Sequence, residues 1–186
     1  MRWSTLWFAF AFCLLATACG TNPDGVRNPS MSTEQTAQRE NQIRSKPSLE
    51  AARAQYEGAM RQMADSIIAL VPGLTWNFEE NSWNGCGSEY PHIRAKQVYQ
   101  LIVFSGPIPD AKWPQALQIV KDGVAPFGAT QFGVFHDQTG FHDIYLAGPD
   151  GIEFRFGTQK ASTLSAKSDC RISETDTPSP PSSTSP

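Results

Sequence analysis

Aromatic side chains supply much of the area a small domain can bury, and in this 186-residue chain they are confined to two stretches. Trp3, Trp7, Phe8, Phe10 and Phe12 lie in the first eighteen residues, and the other fifteen fall between Tyr56 and Phe156. Residues 20–46 and 173–186 contain none, so neither stretch can build much of a core. One ordered domain is expected over 47–172, long enough for a single core and too short for two. Within it ten Lys and Arg stand against thirteen Asp and Glu, with no block of five or more charges of one sign. That balance speaks against a nucleic-acid partner, whose binding calls for a basic face.

The amino terminus reads as an address. Met1-Arg2 supplies a positive charge, and residues 6–18 are almost wholly apolar. Thirteen residues suit a signal-peptide core and fall short of spanning a bilayer. The run closes on Leu15-Ala16-Thr17-Ala18-Cys19-Gly20, which resembles a bacterial lipobox. The resemblance implies removal of a signal peptide, residues 1–18, and attachment of a diacylglycerol and an N-acyl chain to Cys19. An ordinary secretory signal cut after Ala18 is the alternative. Two or three acyl chains, at about 0.8 kcal/mol for each buried CH₂, make such an anchor effectively permanent. Residues 19–46 then read as the lipidated terminus and a flexible tether. Residues 173–186 read as a disordered Ser/Thr/Pro-rich tail, with glycosylation as a further option.

Periodicity supplies the elements of the middle. Leu49, Ala52, Tyr56, Met60, Met63, Ile67 and Leu70 recur every three or four residues, which predicts a helix capped by Ser48 and stopped at Pro72-Gly73. Strands are predicted at 75–79, 98–104, 130–136, 141–146, 152–156 and 161–167. A second helix begins between Asp110 and Pro114 and carries Ala116, Leu117, Val120 and Val124. The order αββαββββ predicts an α+β two-layer sandwich, a mainly antiparallel sheet with two helices on one face.

Chemistry-bearing residues are sparse. With Cys13 in the signal peptide and Cys19 acylated, Cys86 and Cys170 remain, and outside the cytoplasm such a pair most often forms a disulfide. A reactive Cys86 thiol with His92 as base is the alternative. His136 and His142 flank a short turn; with a three-residue loop they would be cross-strand neighbours able to hold a metal, and a slip of one residue would part them. Trp76, Trp83, Tyr90 and Trp113 could line a cleft for sugars or lipids. The chain lacks GxSxG, HExxH, GxxxxGK[ST] and GxGxxG.

Several segments together resemble the LppA-like lipoproteins of mycobacteria. They are Leu49-Glu50-Ala51-Ala52-Arg53, Val71-Pro72-Gly73-Leu74-Thr75-Trp76-Asn77-Phe78, Phe127-Gly128-Ala129-Thr130, Ile152-Glu153-Phe154, and the stretch from Ala161 to Cys170. The resemblance implies lipidation of Cys19 and pairing of Cys86 with Cys170, and it carries no catalytic residues across. The expected protein is a non-enzymatic binding or interaction domain, without cofactor, at the outer face of the plasma membrane. Its partners would be that membrane and an envelope protein, lipid or glycan. A lipid or glycan carrier, or a metal-dependent enzyme built on His136 and His142, are the rivals.

Overall fold

Local sequence and long-range pairing divide the work of shaping this chain, whose computed structural model describes residues 32–176. The expectations for the signal peptide, for Cys19, for tether residues 20–31 and for tail residues 177–186 lie outside the described residues. Helix α2, Leu49–Leu70, buries the predicted stripe, with Tyr56, Met60 and Ile67 almost wholly enclosed. The Ala51 N–H donates to the Ser48 hydroxyl at 3.1 Å, which satisfies one of the donors a helix start leaves open. Helix α3, Trp113–Val124, starts on Trp113-Pro114, where a proline's missing N–H costs nothing. The two helices approach closely because position 123 is glycine: a Cβ there would lie 2.5 Å from Met63 Cγ.

Six strands form one antiparallel sheet in the order β1-β2-β6-β5-β4-β3. They are β1 Trp76–Gly85, β2 Lys96–Phe104, β3 Gln131–Gln138, β4 Phe141–Ala147, β5 Glu153–Thr158 and β6 Ser162–Lys167. Val98, Ile102, Phe104, Ile144, Leu146, Phe154, Phe156 and Leu164 face α2 and α3 and make the core with them. Along the opposite face, side chains such as Leu101, Tyr145, Arg155 and Ser165 are exposed or half-buried. The α+β sandwich is as the periodicity predicts, with helices packed on one side of the sheet.

Three features differ from the sequence reading. Residues 33–44, assigned to the tether, form a further helix, α1 (Thr33–Arg44). Its composition carries no apolar stripe; a capping box between Ser32 and Gln35 starts it, and Ile43 joins Ala95 and Ile172 in a second small cluster. The Glu40 carboxylate accepts the His92 N–H at 2.9 Å, and Lys46 Nζ reaches Asp169 at 2.6 Å. The domain also continues past 172: the Glu174 N–H donates to Glu50 at 3.0 Å, and Lys96 pairs with Asp176 at 3.1 Å. Strand β1, predicted to end at 79, runs to Gly85, because a bulge between Phe78 and Glu80 breaks the alternation while the pairing with β2 continues.

Candidate functional site

The strand pair β3–β4 carries both histidines considered for a metal, His136 and His142. Its turn is Thr139-Gly140, two residues rather than three, and Gly140 takes a left-handed φ of 74°. Because the two-residue turn pairs Gln138 with Phe141, His136 lies opposite Asp143 and Asp137 opposite His142; a bulge between Val134 and His136 then shifts the register of the earlier residues. Residues directly across an antiparallel pair share a face, so the two histidines are parted onto opposite faces of the sheet. The metal-holding pair His136 and His142 is therefore not assembled, and among the described residues no group of three His, Cys, Asp or Glu is placed to hold a metal.

His142 is instead a clamp on the helix side. Its ring stacks on Trp113 with centroids 4.7 Å apart, and Trp113 stacks in turn on Phe156 at 4.8 Å. Its Nδ1 is hydrogen-bonded with Asp137 at 2.6 Å and its Nε2 with Asp110 at 2.8 Å. Asp110 also accepts the Gly140 N–H at 2.8 Å. That bond, and then the His142 ring, hold the Asp110 carboxyl below the usual carboxylate range. Asp110 sits on the connection before α3, so no motif around the turn could have revealed it.

On the open face, Arg155 grips Asp143 through a two-point ion pair, with Nε at 2.8 Å from Oδ1. The Arg155 guanidinium also lies 4.7 Å from the Phe135 ring centroid, and Phe135 packs on Tyr145 at 5.1 Å. Gly157 beside them has no side chain, which leaves a shallow cup of about 320 Å³ bordered by Leu101, Asp143, Arg155, Thr163 and Ser165. A second depression, a groove of about 670 Å³, runs between α2 and α3 over Gly58, Met63, Ile119 and Phe127. The aromatic residues considered for a cleft are dispersed. Trp113 is buried under His142, and Tyr90 belongs to the α1 cluster. Trp76 donates to Asp65 at 2.9 Å, while Trp83 stands exposed on β1.

The remaining sites fall at the other end of the sheet. Cys86 and Cys170 are joined in a disulfide across 84 residues, with Cα atoms 6.2 Å apart. It ties the loop after β1 to the segment after β6, and it leaves no free thiol for His92 to activate. His92 is exposed and its main chain is occupied by Glu40.

The comparisons with known proteins agree on one kinship. The model of a family described as "LppA: Lipoprotein confined to pathogenic Mycobacterium" matches residues 25–174, which take in α1 and the turn after residue 172. LppB of Mycobacterium tuberculosis, named as a lipoprotein, is 29% identical over 159 residues, or 81% of this chain and 71% of that protein. LppA of the same organism, also named as a lipoprotein, is 29% identical over 157 residues, 80% and 70% of the two chains. The crystal structure of LppA superposes with a TM-score of 0.67 at 25% identity, covering 82% of this chain and 95% of that one. A DUF4853 family protein from Actinomyces odontolyticus shares the fold at a TM-score of 0.53 and 14% identity, over 71% and 73% of the two chains. On the match over 25–174, this chain belongs to the LppA family of mycobacterial lipoproteins.

Proposed function

We propose that this protein is a non-enzymatic interaction domain, held by acyl chains on Cys19 at the outer face of the plasma membrane. The lipobox-like run before Cys19 and relatives named as lipoproteins support the anchor. The Cys86–Cys170 bridge supports an oxidising, extracytoplasmic setting, and among the described residues no helix is long and apolar enough to cross a membrane. The observation that carries the interaction reading is the placement of exposed apolar side chains. Phe132, Val134 and Phe135 are 45%, 48% and 53% exposed, and all three belong to one edge strand, β3. Apolar groups gathered on a surface favour association over solvation.

Cys19→Ala tests the anchor. The variant is expected in the soluble fraction after cell breakage, and its continued sedimentation with membranes would overturn the anchoring. Native mass spectrometry of the same variant tests the rest: the expected mass is that of polypeptide alone. The groove between α2 and α3 supports a second reading, a carrier for an acyl chain. A lipid retained by the parent and lost on Gly58→Leu, where an added Cβ meets nothing within 4 Å, would decide for the carrier.

A further inference from the structure

An edge strand offers unpaired N–H and C=O groups, and natural sheets shield such edges with charge, proline or cover. Strand β3 pairs with β4 on one side and with no strand on the other among the described residues. Its sequence, Gln-Phe-Gly-Val-Phe-His-Asp-Gln, has no lysine and no proline, and its one carboxylate stands near the end. Four large hydrophobic residues are exposed among the described residues, and three of them are on this strand.

The charges at its two ends say what fits there. Near the start of β3, Lys121 of α3 places its ammonium 4.2 Å from the Phe132 ring centroid, and among the described residues it is in no ion pair. Near the end, the Asp137 side chain is 65% exposed, and one of its oxygens is taken by His142. Phe132 lies opposite Leu146 and Asp137 opposite His142, so both face the helix side of the sheet. An antiparallel neighbour inverts the order of ends. When the neighbour is β3 of another molecule, each Lys121 meets an Asp137 from across the seam, and the contact repeats itself by symmetry.

We infer that β3 is a self-pairing edge. It joins β3 of a second copy in antiparallel fashion about a two-fold axis between Val134 and Phe135, the middle of the strand. That register sets Phe132 against Asp137 of the second copy on the helix side, and Gly133 against His136 of the second copy on the open side. The bulge, which shifts the alternation by one residue, makes both pairs share a face. At the centre Val134 meets Val134 of the second copy on the helix side and Phe135 meets Phe135 of the second copy on the open side, and main-chain hydrogen bonds run the sheet through both molecules. The Lys121–Asp137 pairs close the two ends. This inference rests on the interaction reading above and adds the partner's identity; the Cys19→Ala fractionation reads the anchor separately.

The test uses the full chain in membranes and the otherwise complete Cys19→Ala chain in solution. Full-length Val134→Cys is expected to give a dimer of twice the chain mass under mild oxidation, while Glu79→Cys on the opposite edge stays monomeric. In sedimentation velocity the Cys19→Ala chain is expected to show a monomer–dimer equilibrium. Adding Val134→Lys, or Lys121→Glu, raises its dissociation constant by at least about ten-fold. Mixing the Lys121→Glu chain with an Asp137→Lys chain restores association, since each copy then meets a charge of opposite sign. A Cys19→Ala chain that stays monomeric at every concentration, with no Val134→Cys dimer in membranes, overturns the inference. So does a dimer indifferent to both Val134→Lys and Lys121→Glu, which would use another surface. Val134 is half-exposed, so its replacement by lysine leaves the fold intact and the readout interpretable.

Discussion

The two edges of the sheet, β1 and β3, face the same hazard and answer it differently. Strand β1 carries Glu79 and Glu80 at its bulge and is tied to α2 by Asn81, which accepts from Arg53 Nε at 3.0 Å and donates to Glu57 at 3.0 Å. Arg61 of α2 covers its Phe78 ring at 4.9 Å, and Lys96 covers the exposed Trp83 at 4.4 Å. The disulfide begins one residue past its end. Strand β3 shares a similar bulge, and Lys121 of α3 lies over its Phe132, but it carries a single carboxylate, Asp137, and no covalent staple. Edge protection in this fold thus comes from side chains placed on each strand and not from the sheet itself. The less protected edge, β3, is the one proposed above to associate.

Removing the staple should change the comparison most. Cys86→Ser with Cys170→Ser releases a loop of 84 residues, which by loop entropy costs about 4–5 kcal/mol. Chemical denaturation of the exported domain measures the loss, and an unchanged midpoint would show that the bridge does not support the β1 end. A smaller effect follows from Asn81→Ala. It leaves Arg53, Glu57 and Gln100 without a shared partner and is expected to cost about 1–2 kcal/mol. The matching change on the other edge, Phe135→Ser, should stay within about 0.5 kcal/mol because that side chain is already half in water. Equal losses at the two positions would erase the distinction between the edges.

The smallest effect concerns pH, at the clamp that fastens the β3–β4 turn. Asp110 is held below its ordinary carboxylate range by the Gly140 N–H and then by His142. A carboxyl depressed in the folded state adds stability above its unfolded pKa, near about 4, and loses it as pH falls through the folded value. Asp110→Asn is therefore expected to flatten the decline in melting temperature between about pH 5 and pH 2. Identical slopes for parent and variant would remove Asp110 from the acid response.

The limits of legibility follow the range of the interactions. Helix α2, the start of α3 and the central strands repeat an apolar pattern within a few residues, so sequence alone placed them. Helix α1 escaped because its stability comes from the Ser32–Gln35 cap and from Ile43 docking against Ala95 and Ile172, contacts that no stripe announces. The histidine pair failed on the turn: with two residues in it rather than three, Gln138 pairs with Phe141 and His136 falls opposite Asp143, one position away from His142 and on the other face.

Sequence by itself determined an α+β domain built on one long amphipathic helix, and a cysteine pair suited to oxidation. Its short segments in their joint order already pointed to the family that the comparisons establish. Tertiary structure alone decided which strands lie at the edges, that His142 is bound by Asp110 across 32 residues, and that Lys121 and Asp137 mark opposite ends of one exposed strand. The physical reason is distance along the chain. Helix and strand patterns arise from neighbours a few residues apart. Sheet order and the company of each exposed side chain are set by pairings between residues far apart in sequence, which no local period encodes.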